Sequence, residues 1–174
     1  MNQKFIITGA PGTGKTSIIN ELKKRGFSIS KEISREIIAD ELKQGGDVLP
    51  WKNLKAFSER VALLRKTQFD NAPENKLHFF DRSIIDVFAY MKLDKICSKS
   101  LELQLGETQY ATTVFYTPIW KEIYKNDEER KENIEQANKI EDNLINTYTS
   151  TGYKLFKIPK DSIKNRVDFI LSKI

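Results

Sequence analysis

Short apolar runs alternate along the chain with longer stretches in which apolar residues recur at helical spacing. The short runs are rich in β-branched and aromatic residues and are bounded by glycine, proline or polar residues, which is typical of buried strands. They predict five strands, at residues 3–8, 27–30, 76–80, 112–116 and 153–158.

The stretches between these strands carry apolar stripes with the period of an α-helix. In the stretch at 53–70, we expect Phe57, Val61, Leu64 and Gln68 to share the buried face. The pattern predicts helices at residues 14–25, 34–44, 53–70, 83–97 and 100–106, a long helix that ends near residue 150, and a last helix that carries Ile163, Val167, Ile170 and Ile174.

The order of these elements indicates the fold class. Strands that alternate with helices favour a parallel sheet covered by helices on both faces, which is a three-layer α/β architecture. No repeat, low-complexity tract or linker interrupts the 174 residues, so we expect one domain over residues 1–174. Residues 119–132 are the most charged stretch, and we interpret them as a loop or a partly helical flap.

Composition and charge exclude several classes of protein. The single cysteine, Cys97, rules out an internal disulfide, and no apolar run approaches the length of a membrane span. We therefore expect a cytoplasmic protein without a membrane partner. The only histidine, His78, lies inside a predicted strand, where we expect packing or a local hydrogen bond rather than a metal ligand. The net charge of +5 is carried by residues 1–35, which favours a local anionic ligand and argues against a nucleic-acid partner along the chain. For Lys23, Lys24 and Arg25, the alternative is a favourable interaction with the dipole at the end of the first helix.

A complete P-loop pattern, GxxxxGK[ST], stands at residues 9–16 between a predicted strand and a predicted helix. Glycines let backbone N–H groups turn inward around a phosphate, Lys15 reaches the β- and γ-phosphates, and Thr16 offers a hydroxyl to Mg²⁺. We therefore expect Mg-ATP to bind here, with Lys15 also catalytic. The expected contacts are Gly9, Ala10, Pro11, Gly12, Thr13, Gly14, Lys15, Thr16 and Ser17.

Asp81 is the second candidate group, because an apolar strand ends at it beside the P-loop. A carboxylate at that place holds Mg²⁺ directly or through water. Motor-type ATPases usually carry a glutamate at the next position, whereas this chain carries Arg82. The difference favours phosphoryl transfer to a bound acceptor over ATP hydrolysis. An acidic strand end at a turn is the alternative interpretation of Asp81.

Two further places carry candidate chemistry. Glu32 and Arg35 follow the second strand, whose carboxyl end faces the same crevice as the P-loop. Glu32 is suited to accept a proton from an attacking hydroxyl, and Arg35 to hold a phosphate or carboxylate; a solvated ion pair at helical spacing is the alternative. In the charged stretch, Arg130 is a candidate to reach the transferring phosphates from a mobile flap, and a solvated charged face is the alternative.

With these motifs in place, the chain resembles the AAA-domain family of predicted ATPases that groups with the ribosylnicotinamide kinase domain of NadR. More widely, it resembles the nucleoside and nucleoside-monophosphate kinases. The resemblance covers nearly the whole chain. It is carried by the P-loop, by Glu32-x-x-Arg35, by Phe80-Asp81-Arg82-Ser83 with Asp86 and Ala89-Tyr90, by the lid-like segment from Tyr124 to Arg130, and by the closing strand, proline and helix from Tyr153 to Val167.

This resemblance implies a P-loop NTPase fold of the nucleoside-kinase type with a five-stranded parallel sheet. It implies Mg-ATP as the phosphoryl donor, a metal site at Thr16 and Asp81, and a turn at Ile158 and Pro159 near the donor base. The implied acceptor is a small nucleoside- or nucleotide-like molecule. We predict that it binds between Glu32, Arg35, Arg82 and Asp86, which follow two different strands.

Two other classes of function remain open at this point. One is a nucleotide-dependent switch or ATPase that acts through a protein partner. The D-x-x-G and N-K-x-D patterns of GTPases are lacking, since Asn138-Lys139-Ile140-Glu141 ends in glutamate within an amphipathic helix. The other is a nucleic-acid 5′-kinase, and the neutral charge over residues 36–174 counts against it.

Overall fold

The computed structural model describes residues 3–123 and 134–174, and within these ranges it holds five strands and seven helices. The strands are β1 Lys4–Thr8, β2 Ser28–Ser30, β3 His78–Asp81, β4 Thr113–Tyr116 and β5 Lys154–Lys157. The helices are α1 Lys15–Lys24, α2 Ser34–Gln44, α3 Leu54–Asp70, α4 Ile84–Leu93, α5 Lys99–Glu107, α6 Ile134–Ser150 and α7 Ile163–Leu171.

The five strands form one parallel sheet in the order β2-β3-β1-β4-β5. Strand β1 lies in the centre, with Ile7 paired to Asp81 of β3 on one side and to Phe115 of β4 on the other. The loop after β1 therefore starts at the middle of the sheet, and the ends of β2 and β3 lie on one side of it. The ends of β4 and β5 lie on the other side. This order confirms the predicted α/β fold.

Helices cover both faces of the sheet because β1 alternates its side chains between them. Phe5 and Ile7 pack with α1 and α7, in a cluster that includes Ile18 and Val167. Ile6 packs on the opposite face with α4 and α6. Helices α2, α3 and α5 extend that second face around a further apolar cluster with α4. The architecture is the predicted three-layer arrangement.

Three predicted details are wrong. The last helix ends at Leu171, so Ile174, which was predicted to lie on it, is beyond its end and exposed. The helix predicted at 83–97 ends at Leu93, and Lys95 adopts a left-handed backbone with φ of 56°. On α3, Leu64 is 38% exposed, and the buried face is formed by Phe57, Ser58, Val61, Ala62 and Arg65. The buried stripe of α3 is therefore rotated relative to the predicted one, and it includes the basic residue Arg65. No helix within the described residues is long and apolar enough to cross a membrane.

Candidate active site

The loop between β1 and α1 is shaped by glycines that no other residue replaces without strain. Gly9, Gly12 and Gly14 have φ values of 141°, 77° and 84°. A Cβ on Gly9 would overlap the hydroxyl and carbonyl of Thr117 at the end of β4. Gly14 is the N-cap of α1, so the helix N-terminus opens directly from the loop. A loop of this kind presents backbone N–H groups and a helix dipole to an anion.

Lys15 is the buried cation of this loop. Its Nζ donates to the carbonyl oxygens of Gly9, at 3.0 Å, and Ala10, at 2.8 Å. Burial lowers the pKa of the Lys15 ammonium, and the Arg82 guanidinium lowers that pKa further. A phosphate anion would compensate both effects, because an opposite charge favours the protonated form. Thr16, beside Lys15, is exposed on the first turn of α1.

Two threonines brace the loop from within the protein. The Thr13 hydroxyl donates to the Ala10 carbonyl at 2.9 Å and lies 2.6 Å from the Thr117 hydroxyl. The Thr117 hydroxyl also lies 3.2 Å from the Thr8 carbonyl, to which it donates. Both threonines are buried. Thr117 was not predicted as a site residue, although it lies directly after the fourth predicted strand.

Asp81 ends β3 next to β1 and is 2% exposed. Its Oδ1 has no hydrogen-bond partner among the described residues, and a buried unsatisfied carboxylate oxygen is costly. Burial raises the pKa of the Asp81 carboxyl, and the Glu32 carboxylate raises it further. A cation beside Oδ1 would compensate both effects. Asp81 and the exposed Thr16 hydroxyl would offer oxygen ligands, the type that Mg²⁺ prefers. No cluster of three or more histidine, cysteine or acidic metal ligands exists in the described parts of the chain.

Glu32 is clamped between two guanidinium groups. Its Oε1 accepts from Arg65 at 2.6 Å, and its Oε2 forms an ion pair with Nε of Arg82 at 2.7 Å. The backbone N–H groups of Ile33 and Ser34 also donate to Oε1, each at 3.0 Å. Burial opposes ionisation, but the two guanidinium groups outweigh it and hold the pKa of the Glu32 carboxyl well below its usual range. Glu32 is therefore a firmly ionised carboxylate.

Arg65 is another site residue that was not predicted from the sequence. It lies on the buried face of α3, is 2% exposed, and donates through a second nitrogen to the backbone carbonyl of Asp81 at 2.9 Å. It therefore joins the end of β2 to the end of β3. Its place one turn after Val61 was the available signal, but a charged side chain is ordinarily assigned to solvent.

Arg82 and Asp86 form the other side of this network. Arg82 has a left-handed backbone with φ of 70°, and its guanidinium lies 5.7 Å from the centre of the Tyr90 ring. Oδ1 of Asp86 lies 3.5 Å from a terminal guanidinium nitrogen of Arg82. The same oxygen accepts a hydrogen bond from the Thr8 hydroxyl at 2.5 Å. The other oxygen accepts from the Ser83 backbone, the Ser83 hydroxyl and the Tyr148 hydroxyl. Asp86 also completes the capping box of α4.

Most of the predicted residues line a single cavity of about 780 Å³. This volume lies within the range of small-molecule binding sites. Residues 11–17, Glu32, Arg35, Asp81, Arg82 and Asp86 line it. On the side of β2 and β3, the wall also includes Ile38, Pro50, Trp51, Leu54, Phe57, Val61, Val87 and Tyr90. On the side of β4 and β5, it includes Trp120, Ile123, Asp161, Ser162, Ile163 and Arg166.

Four predicted residues lie outside this lining. Gly9 and Ala10 are buried beneath the loop, where their carbonyls hold Lys15. Ile158 is fully buried and Pro159 is exposed, and neither belongs to the described residues that line the cavity. Arg130 and most of the predicted flap lie outside the described residues, so their roles stay predictions.

The loop, the strand-end carboxylate and the sheet order define a P-loop protein with the fold of the small-molecule kinases. A family described as an AAA domain matches residues 4–166, and the chain belongs to that family. The resemblance seen in the sequence is therefore confirmed. No curated protein sequence matches the chain significantly.

Solved structures similar to this chain include kinases of small molecules. Deoxyadenosine kinase from M. mycoides, with dCMP and dCDP bound, has a TM-score of 0.70 at 20% identity, and the match covers 98% of this chain and 97% of that one. NadR in complex with NR has a TM-score of 0.71 at 16% identity, over 98% of this chain and 50% of that one. Thymidylate kinase from Candida albicans has a TM-score of 0.68 at 14% identity, over 99% and 91% of the two chains. At such identities the likeness shows the fold.

Proposed function

We propose that this protein transfers the γ-phosphoryl group of Mg-ATP to a hydroxyl of a small nucleoside- or nucleotide-like acceptor. The observation that carries the proposal is the part of the cavity that lies beside the P-loop on the side of β2 and β3, which we call the acceptor chamber. An apolar and aromatic wall from α2, α3 and α4 faces the ion network of Glu32 and Arg82. A hydrolase that activates water needs no such wall, whereas a kinase must bind its acceptor and exclude water.

On the donor side, the loop N–H groups and Lys15 would hold the phosphates. Thr16 and Asp81 would hold Mg²⁺, and the unsatisfied Oδ1 of Asp81 supports this assignment. The ion supplies charge neutralisation on the phosphate oxygens when it is bound. Arg82 would add a buried cation at the same strand end, where it would stabilise the negative charge spread over the phosphoryl oxygens in the transition state.

On the acceptor side, Glu32 would accept a hydrogen bond from the attacking hydroxyl and fix its direction. A carboxylate with so low a pKa is a weak base, which suits a reaction whose transition state is loose and needs little proton abstraction. Arg35 lines the same chamber and would hold an anionic or hydroxylated part of the acceptor. The aromatic side chains Trp51, Phe57 and Tyr90 would pack against its ring.

The test is a panel of nucleosides, nucleoside monophosphates and RNA 5′ ends incubated with the full chain and Mg-ATP. We expect one class of nucleoside or nucleotide to stimulate ADP release and to gain a phosphate by mass spectrometry. Lys15→Ala should abolish both, whereas Lys23→Ala, at an exposed lysine of the same helix, should change neither. ATP binding through Lys15 without stimulation by any acceptor would contradict the kinase proposal and favour a nucleotide switch.

A further inference from the structure

Glu41 is an acidic residue on the buried face of α2, and the candidate active site gives it no role. It shares that face with Ile37 and Ile38 and is 9% exposed. A carboxylate that is removed from water is costly unless cationic or N–H groups lie against it. The groups that surround Glu41 therefore indicate what it holds in place.

The partners of Glu41 lie on α3 and in residues 45–53, which join α2 to α3 and which we call the α2–α3 loop. Oε2 of Glu41 accepts a hydrogen bond from the backbone N–H of Val48 at 3.1 Å. Oε1 forms an ion pair with Arg60 of α3 at 2.5 Å. The backbone carbonyl of Glu41 also accepts from the N–H of Gly46 at 2.9 Å. One residue thus ties the first half of the loop to both helices.

The Glu41 carboxylate fits so closely against Gly46 that a larger residue would displace it. A Cβ on Gly46 would overlap Oε2 of Glu41 and would lie 2.9 Å from Cδ. The φ angle of Gly46 is outside the left-handed region, so the backbone there does not itself require glycine. The close contact with the carboxylate is therefore the physical reason for glycine at this position.

The second half of the α2–α3 loop forms part of the wall of the acceptor chamber. Leu49 is 1% exposed, and its carbonyl accepts from the N–H groups of Lys52 and Asn53 at 3.0 Å and 2.8 Å. Pro50 and Trp51 lie within this turn, and both line the cavity. Trp51 is 44% exposed, so packing in the core does not by itself fix the indole. Its place depends on how the loop is held.

We propose that Glu41 is a positioning residue for the acceptor: it fixes the α2–α3 loop and thereby the place of Trp51 in the chamber wall. The inference rests on the proposed function, because it assumes that the chamber binds the acceptor. Glu41 does not belong to the described residues that line the cavity, so it acts through the loop and not by contact. An indole that is held in advance loses little entropy when a planar ring packs against it.

Two variants disturb the contact from opposite sides. Glu41→Gln removes the charge that pairs with Arg60, whereas Gly46→Ala displaces the carboxylate by occupying its place. The matched controls are Glu36→Gln, at an exposed position of α2, and Gly106→Ala, whose Cβ would have no atom within 4 Å. All four substitutions leave the P-loop unchanged.

The first measurement is steady-state ADP release by the full chain with Mg-ATP and, in turn, the common ribonucleosides, deoxyribonucleosides and their 5′-monophosphates. For each compound that stimulates the wild type, we expect Glu41→Gln and Gly46→Ala to raise its KM about tenfold. The kcat and the KM for ATP should stay within about twofold of the wild-type values, and both controls should match the wild type. A role in stability alone would lower the apparent kcat and leave both KM values unchanged. That pattern, or an equal rise of both KM values, would overturn the proposal.

A double variant tests whether Glu41 acts through the indole. If it does, Trp51→Ala removes the group that Glu41 positions, and adding Glu41→Gln should raise the acceptor KM no further. If the two increases in KM multiply, Glu41 acts independently of Trp51 and the proposal is wrong.

A second measurement needs no acceptor and so separates this proposal from the proposed function. The chain holds two tryptophans, so Trp120→Phe leaves Trp51 as the single reporter. In that background, Glu41→Gln and Gly46→Ala should lower the fluorescence anisotropy of Trp51, and the two controls should not. Unchanged anisotropy in both variants would overturn the positioning role even where phosphoryl transfer is found. A wild type that none of the nucleosides or monophosphates stimulates would instead refute the proposed function, and the acceptor role of Glu41 with it.

Discussion

The ion network around Glu32 makes a quantitative prediction about stability. Glu32→Gln removes the negative charge that sits between Arg65 and Arg82, and the two buried guanidinium groups are then left facing each other across an amide. Breaking a buried pair from one side costs about 3–5 kcal/mol. The glutamine oxygen still accepts one hydrogen bond, so we expect Glu32→Gln to lower the free energy of unfolding by about 3 kcal/mol. Arg65→Met also removes the bond to the Asp81 carbonyl and should cost as much or more.

The double variant separates charge pairing from simple loss of contacts. In the variant that combines Glu32→Gln and Arg65→Met, the carboxylate and the guanidinium of this pair are both absent. Neither is therefore left as an unpaired buried charge beside the position of the other. The free energy of unfolding should therefore fall by about 2 kcal/mol less than the sum of the single losses, within the usual range for coupled neighbours. These changes are large against a typical total of about 5–15 kcal/mol.

Urea unfolding followed by circular dichroism measures the four proteins of this cycle. Lys66→Met is a matched control, because Lys66 lies on the same helix in an exposed pair with Asp70 and should leave the unfolding free energy nearly unchanged. The low pKa of Glu32 adds a pH signature. Its stabilising effect is complete above the ordinary carboxyl pKa of 4.5 and is lost as the pH falls below it, so Glu32→Gln and wild type should converge in acid. Additive losses, or a gap that persists in acid, would refute the reasoning.

Three further outcomes follow from the site and the core. Asp81→Asn should lower turnover about a hundredfold or more while ATP affinity changes only a few-fold, and full turnover in the variant, or in wild type with excess EDTA, would contradict the metal assignment. Arg35→Lys should raise the KM for the acceptor roughly tenfold at an unchanged KM for ATP, and an unchanged acceptor KM would move the acceptor elsewhere. His78 is buried, and burial lowers its pKa from 6.5 to about 4, so wild-type stability should fall as the pH drops from 6.5 to 4, by up to about 3 kcal/mol. His78→Gln should flatten that slope, and an identical pH profile would contradict the cause.

The positions of the strands could be predicted because each is a short apolar run with clear boundaries. Ile6, Phe79 and Phe115 are buried in the centre of the sheet, and glycine or polar residues bound their strands. The P-loop and Asp81 could be predicted for the same reason, since each directly follows one of those runs. His78 was also predicted correctly as a local hydrogen-bonding residue, because the Ser28 and Ser30 hydroxyls lie 2.8 Å and 2.9 Å from its ring nitrogens.

Arg65 could not be predicted, because its burial depends on partners that the local sequence does not contain. An arginine is ordinarily assigned to the solvent face of a helix, and Leu64 was expected in the core instead. In the structure, the Glu32 carboxylate neutralises Arg65 and the Asp81 carbonyl accepts a hydrogen bond from it, so α3 buries that side. Arg166 was missed for the same reason, since its partner, the Thr13 carbonyl, lies 153 residues away along the chain.

The two aspartates of the Asp81–Asp86 segment show why adjacency to a motif does not by itself assign a role. Both are 2% exposed and both line the cavity. Asp86 uses both oxygens on protein donors, among them the Thr8 and Tyr148 hydroxyls, and so links β1, α4 and α6. Asp81 keeps one buried oxygen without a partner in the described structure. A carboxylate whose acceptors are occupied fixes its neighbours, here Arg82, whereas one with an unsatisfied oxygen would be stabilised by a cation such as the proposed Mg²⁺. The difference between the two carboxylates therefore follows from their hydrogen-bond partners, which only the folded chain reveals.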